Sequence, residues 1–288
     1  MNHRKIKYQI LGLLLVAAVL IWLAVFTKAE GNLLEVNFFD VGQGDAAFIE
    51  TPEGRQILID GGPDASVLEK LGEEMPFYDR SIDLVILTHP EADHITGLIE
   101  VLKNYQVGQI LESGFKRETA GYKEWQRLIK EKNIPTKIAR AGQIISLGQG
   151  IKIKILWPNE TAVSLSPESS NNISVVSQLI YGQREFLFTG DIEKQTELKL
   201  TNNQSASGIE SDVLKIAHHG SKSSTNQLFL EKVNPNIAVI SVGNKNPYGH
   251  PHQEVLERLK TKRIFRTDLD GDVEILTDGK NIEARREK

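Results

Sequence analysis

Six of the seven histidines stand in three short stretches, His89-Pro90-Glu91-Ala92-Asp93-His94, Ala217-His218-His219-Gly220 and Tyr248-Gly249-His250-Pro251-His252. Each stretch sits at the end of an apolar, β-type run, and a fourth run ends in Phe188-Thr189-Gly190-Asp191. The chain has no cysteine. That excludes a disulfide framework, a thiolate zinc site and a cysteine nucleophile, and leaves imidazoles, carboxylates and amides as the side chains able to hold a divalent ion. Ligands placed just past strand ends are fixed by a sheet while staying open to substrate, so the histidines constrain the architecture as well as the chemistry. Asp93 and Asp191 also suit the N-caps of the helices expected at His94 and Ile192. Capping accounts for neither His89 nor the His218-His219 pair, and a metal site explains them together.

With 288 residues, 40% hydrophobic and 25% charged, the composition is that of an ordinary globular chain, long enough for one large domain or two small ones. From Leu33 onward short β-rich runs alternate with helical stretches, with no repeat of fixed period. Strands are expected at Leu34 to Phe39, Ala46 to Thr51 and Gln56 to Asp60, the last two joined by the Pro52-Glu53-Gly54 turn. Further strands are expected at Leu84 to Leu87, Val107 to Leu111, Gln143 to Leu147 and Ile151 to Trp157. Helices are expected from His94 to Asn104 and Tyr122 to Lys132. A polar connector, Pro158 to Asn171, leads to a second half with strands at Ser174 to Tyr181, Glu185 to Thr189, Val213 to Ala217 and Ile237 to Val242. Its helices are expected at Ile192 to Asn202, Asn226 to Lys232 and Gln253 to Lys260. The pattern is a mixed α/β one, sheets in the middle and helices outside.

The first thirty residues differ. Arg4, Lys5 and Lys7 precede an uncharged apolar run from Ile10 to Phe26. The run is at the short end of what crosses roughly 30 Å of hydrocarbon, and longer than the core of most cleaved signals. A retained anchor is favoured, with cleavage at Thr27-Lys28-Ala29 as the alternative. In both cases residues 1–30 are a membrane anchor or signal peptide, the early positive charges stay inside, and residues 31–288 lie on the extracytoplasmic side as a single-pass or secreted product.

The pattern His89-x-Glu91-x-Asp93-His94, with Leu58-Ile59-Asp60-Gly61-Gly62 upstream and Thr189-Gly190-Asp191 downstream, resembles the metallo-β-lactamase superfamily. Asp40-Val41-Gly42-Gln43-Gly44-Asp45-Ala46, Asn171-Asn172-Ile173-Ser174, His218-His219-Gly220-Ser221 and the stretch Tyr248 to His252 resemble the exported hydrolase domain of ComEC-type competence proteins, which are DNA-uptake channels. The resemblance implies an α/β fold, an αββα sandwich of two mixed sheets flanked by helices, with divalent ions on one edge. It implies two ions, zinc or manganese, with magnesium as a further candidate. Of the expected ligands, Asp93, His94, Asp191 and His218 make the tighter position, and His89, Glu91 and Asn172 the looser one. Glu91 replaces the usual second histidine, which makes the site richer in oxygen and shifts preference away from zinc. Asn172 stands in for a histidine that does not occur between His94 and His218. Which of His218 and His219 is the ligand stays open. Asp60 is expected to support the His89 loop, and Asp45 to lie close behind the site. The many membrane spans of the competence proteins have no counterpart here, so the resemblance implies a free-standing, anchored relative of their hydrolase domain.

Ions sharing Asp191 would activate water for attack on a phosphodiester. His219 or His250 would protonate the leaving group, with Ser221, Lys222 and His252 on the side of the substrate. The net charge of -4 argues against a globally basic nucleic-acid binder. Lys116 to Lys154 nevertheless holds ten Lys or Arg against three Asp or Glu, a footprint suited to a nucleic-acid backbone, with Tyr122, Trp125 and Trp157 as candidate stacking surfaces. The leading expectation is a membrane-anchored nuclease acting on DNA, with no obligate protein partner. The alternatives are a hydrolase of a cell-envelope phosphodiester, ester or lactone, and a catalytically silent module that binds DNA or a partner.

Overall fold

Alternation along the first strand decides the architecture. Leu34, Val36 and Phe38 of β1 (Leu34–Phe38) are buried against a second sheet, while Glu35 and Asn37 point the other way. The computed structural model describes residues 3–28, 33–159, 170–202 and 208–287. It divides into two units, Met1–Leu33 and Leu34–Lys288. The first unit is helix α1 (His3–Lys28), whose window Lys5–Trp22 has a mean hydropathy of 1.7 and is long and apolar enough to cross a membrane.

In the second unit, β1 is joined in one eight-stranded sheet by β2 (Ala47–Glu50), β3 (Gln56–Ile59), β4 (Ser81–Leu87), β5 (Gln106–Glu112), β6 (Thr136–Ile138), β14 (Val273–Thr277) and β15 (Ile282–Arg286). Its order is β15-β14-β1-β2-β3-β4-β5-β6, and β3 to β6 run parallel. The crossovers between them are α2 (Ser66–Glu74), α3 (Ala92–Asn104) and α4 (Ala120–Lys132), packed on the outer face. The other sheet has seven strands, β7 (Ile144–Gly148), β8 (Ile151–Trp157), β9 (Val176–Tyr181), β10 (Arg184–Phe188), β11 (Val213–Lys215), β12 (Ile237–Ile240) and β13 (Arg263–Arg266). Here β10 to β13 are parallel, with helices Lys194–Asn202, Gln227–Val233 and Gln253–Leu259 as crossovers.

The inner faces meet in one apolar layer in which Phe38 stacks on Phe188 at 5.8 Å between ring centroids. Two further layers lie between each sheet and its helices. This is the expected αββα sandwich. Both sheets bring the C-terminal ends of their parallel strands to one edge, where β4 leads into His89 to His94 and β10 into Asp191.

The structure adds elements that alternation in the sequence does not single out. These are α2, β6, and the run β13 to β15, which returns the chain to the first sheet and pairs β14 with β1. Asp278-Gly279, with Gly279 at φ +82, forms the turn of the last hairpin. Strand β11 stops at Lys215 because the backbone turns through a 3-10 segment at Ala217–Gly220. Residues 160–169, most of the expected connector, lie outside the described residues.

Candidate metal centre

Four ligand atoms converge at the shared edge. Asp93 and His94 open α3, Asp191 follows β10, and His219 follows β11. His219 Nε2 lies 3.2 Å from Asp93 Oδ2 and 3.4 Å from Asp191 Oδ2, and His94 Nε2 lies 3.4 Å from Asp191 Oδ2 and 3.9 Å from Asp93 Oδ2. Ligands about 2.0 to 2.2 Å from a tetrahedral ion stand about 3.3 to 3.6 Å from one another, so the spacing fits one divalent ion.

The far side of each imidazole is pinned. His94 Nδ1 donates to Asp60 Oδ2 at 2.8 Å, and His219 Nδ1 donates to the Ser241 carbonyl at 2.9 Å. This leaves each Nε2 as the nitrogen that faces the cluster, where a metal ion would take the place of the proton that the surrounding carboxylates otherwise favour. His94 Nε2 is buried with no hydrogen-bond partner among the described residues, and so is His89 Nε2. Such orphaned atoms are costly unless something binds them. Asp60 also accepts from the Thr88 amide and hydroxyl, and Thr88 Oγ1 in turn accepts from His89 Nδ1 at 3.1 Å. One buried carboxylate thus orients both histidines of the motif.

The electrostatics agree with the geometry. Burial alone would depress His94 and His219, yet Asp191 together with Asp60, Asp93 or Asp45 raises both well above ordinary imidazole values. Despite its burial, Asp191 is held well below the usual carboxylate range by His219 and His94, and Asp93 is lowered by the same pair. His89 is pushed down to about 3, first by burial and then by His94, and is neutral at physiological pH. With the imidazoles neutral, as metal binding requires, the carboxylates Asp45, Asp60, Asp93 and Asp191 outnumber the buried Lys215 ammonium and leave a net negative site suited to a cation.

Asp45 lies behind the ligands. It pairs with the buried ammonium of Lys215, is 3.3 Å from His219 Nδ1, and is 3.8 Å from His94 Nδ1. Lys215 Nζ also donates to the Gly190 carbonyl at 3.3 Å and is 3.8 Å from Asp191 Oδ1. The glycine-rich loop can come this close because a methyl group on Gly44 would stand 2.3 Å from the Asp93 carbonyl oxygen. Gln43 of the same loop accepts from the Gly243 amide at 3.1 Å.

Several expected residues fall elsewhere. His219, not His218, enters the four-atom group; His218 Nε2 is 4.0 Å from Asp191 Oδ2, on the rim. Consecutive left-handed residues at His218 and His219, both at φ +53, turn the second ring inward. Glu91 is held by Arg117 at 3.2 Å and by the Ser170 hydroxyl, away from the cluster. Asn172 is spent on the helix Lys194–Asn202: its Oδ1 accepts from the Glu193 amide and Thr196 Oγ1, and its Nδ2 donates to Glu193 Oε2. No donor pair on that amide is left for a metal. His89 stands beside the group, its ring centroid 4.1 Å from that of His94.

On the substrate side, Ser221 is buried and bonded to Ser223 at 3.0 Å, while Lys222 is exposed and its amide donates to His252 Nδ1 at 3.3 Å. His250 is depressed to about 4 by burial and the neighbouring histidines, which deprives it of the extra proton a general acid needs at neutral pH. Tyr122, Trp125 and Trp157 are buried in the core, Trp125 bonded to Glu112 and Trp157 to the Asn172 carbonyl, so none is a stacking surface. Lys215 is not marked by the sequence, because a lysine inside a short strand reads as an outward-facing residue.

Known proteins place this arrangement. Residues 39–244 match the model of the metallo-β-lactamase superfamily. The chain is 33% identical over 260 residues to ComE operon protein 3 of Bacillus subtilis, covering 83% of this chain and 32% of that protein. It is 29% identical over 259 residues to Recombination protein 2 of Haemophilus influenzae, covering 87% and 30%. It therefore spans about a third of the length of these curated relatives. Among solved structures, YhfI of Bacillus subtilis shares the fold with a TM-score of 0.57 at 13% identity, over 84% of this chain and 99% of the other. The motif resemblance to ComEC-type competence proteins stands, and the chain belongs to the metallo-β-lactamase superfamily.

Proposed function

We propose that this protein is a metal-dependent phosphodiesterase acting on DNA, held at the cell membrane by α1 with its hydrolase domain on the extracytoplasmic side. The observation that carries the hydrolytic part is the convergence of Asp93, His94, Asp191 and His219, with both imidazoles oriented from behind. A divalent ion bound there supplies positive charge for a phosphate and a water of lowered pKa. Asp191 and His219 hold the second sheet's half of the site, Asp93 and His94 the first sheet's half. Lys215 offsets the charge of Asp45 beside the outer oxygen of Asp191. His218 on the rim is placed to exchange a proton with the leaving group, and Lys222 to meet a phosphate oxygen. DNA is favoured by the name of one relative, Recombination protein 2, and by the motif resemblance to DNA-uptake proteins. The orientation follows from Arg4, Lys5 and Lys7 ahead of the apolar run.

The test is cleavage of end-labelled single- and double-stranded DNA by the full-length protein with Mn²⁺, Mg²⁺ or Zn²⁺, beside Asp191→Asn. Metal-dependent cutting is expected in the wild type, with a loss of at least about a hundredfold in the variant. A fully metallated protein that cuts neither substrate would sink the nuclease reading and redirect the search to envelope phosphodiesters.

A further inference from the structure

Most of the large aromatics of residues 34–287 are buried, and Phe115 and Tyr181 are half-buried. Those exposed among the described residues are Phe77, Tyr78 and Tyr248. Phe77 and Tyr78 precede the start of β4, whereas the metal cluster follows its end, so they lie at the far end of the sandwich. Tyr248 is 63% exposed and stands at the metal edge.

It is the outer rung of a ladder of rings. The His94 and His219 centroids are 5.6 Å apart at 36°, those of His219 and His250 are 6.3 Å apart at 28°, and those of His250 and Tyr248 are 5.6 Å apart at 25°. Successive planes stay within 36° of one another from the metal ligands to the solvent-facing tyrosine. The loop that carries the outer rungs is braced. Asn246 Oδ1 accepts from the His250 amide at 2.9 Å, and Asn246 Nδ2 donates to the carbonyls of His250 at 2.7 Å and Gly243 at 3.0 Å. An exposed ring on a braced loop presents apolar surface to water, and such rings are the usual support for a stacked base. Lys222 lies on the neighbouring loop, joined to this one through His252, and gives a cation for the adjoining backbone.

We infer that Tyr248, backed by His250, is a stacking platform for a nucleobase at the mouth of the metal centre, so that the preferred substrate is unpaired nucleic acid, a single strand or a frayed end. The inference rests on the reading of the protein as a DNA phosphodiesterase and names how that substrate is held. A paired base inside a duplex has no free face to offer the ring, while an unpaired base of any sequence does.

The experiment measures binding by the full-length protein with Ca²⁺, using single-stranded oligonucleotides that carry 2-aminopurine at the 5′ or 3′ end and matched oligonucleotides abasic at that position. Stacking quenches 2-aminopurine, and anisotropy of a distal dye reports binding independently. Wild type and Tyr248→Phe should quench one of the two oligonucleotides equally. Tyr248→Leu should lose the quench and bind about tenfold more weakly, with no change for the abasic partner. Binding without quench in the wild type, or an unchanged quench in Tyr248→Leu, would overturn the platform and leave the nuclease reading intact. Absence of both binding and cutting would remove the nuclease reading and the platform with it. Binding of a teichoic-acid polymer that depends on Tyr248, with no quench from either oligonucleotide, would assign the ring to a sugar and also overturn it.

Discussion

At the residue scale, the choice between two adjacent histidines decides which side chain holds the ion. His219 reaches Asp93 and Asp191 with Nε2 while its Nδ1 is fixed by the Ser241 carbonyl, and His218 is left on the rim, 3.4 Å from Ser223. His219→Ala is therefore expected to weaken Mn²⁺ binding by more than about a hundredfold, and His218→Ala to leave it nearly unchanged while slowing turnover. Isothermal titration with Mn²⁺ checks this, and equal losses in both variants would contradict the assignment. The sequence shows that the pair matters, because neither helix capping nor core packing calls for two histidines in a row after a strand. It does not show which one binds, since that depends on a left-handed turn of the backbone at both residues. The same limit applies to Asn172. A stretch of amides and a serine near other ligands reads as a candidate ligand set, but the amide's donors and acceptor are consumed by the start of the next helix.

At the element scale, strands and helices with strong alternation were legible, and so was their order. Less legible was α2, a short helix whose buried face consists of Val67 and Leu71. Its last residue, Glu74, lies among Glu274, Glu35, Asp272 and Glu73 near the outer side of β1 and β14, and accepts from Asn37 Nδ2 at 3.1 Å. Burial first, and then these carboxylates, push Glu74 up from 4.5 to about 7. Its sign follows from the two states. Between these values the unfolded chain has released the proton and the folded chain still holds it, so stability falls as pH rises through this window, and the full penalty is present above about 7. Glu74→Gln keeps the bond to Asn37 and removes the charge. Because the carboxyl is partly solvated, the gain at pH 8 is about 1 kcal/mol or less, a rise in Tm of about 2 to 4 °C. It should vanish near pH 4.5. Thermal unfolding across the pH series tests this, and a gap that does not change with pH would refute it.

At the scale of the whole molecule, the metal centre joins halves that also meet through their apolar faces and through polar contacts such as Lys215 with Asp45 and Gln43 with the Gly243 amide. Asp93 and His94 come from the first sheet's side, Asp191 and His219 from the second's. An ion held at about a hundredfold above its Kd adds about 2.7 kcal/mol to the folded state. Chelation is thus expected to lower Tm by about 5 to 10 °C, reversibly on adding Mn²⁺, and to have no effect on Asp191→Asn. Differential scanning calorimetry with and without EDTA distinguishes this from a site that binds metal without bracing the fold.

The pairing of β1 with β14 also sets a timetable. Strand β1 lies between β2 and β14 in the first sheet, with its partner more than two hundred residues later in the chain. During synthesis β1 is held open on one edge until β14 has emerged, and contacts so distant in sequence form slowly. For a domain on the extracytoplasmic side, as proposed above, that delay is an advantage. Export machinery threads unfolded polypeptide, and a sheet that waits for β14 and β15 stays open for threading until that hairpin has been made.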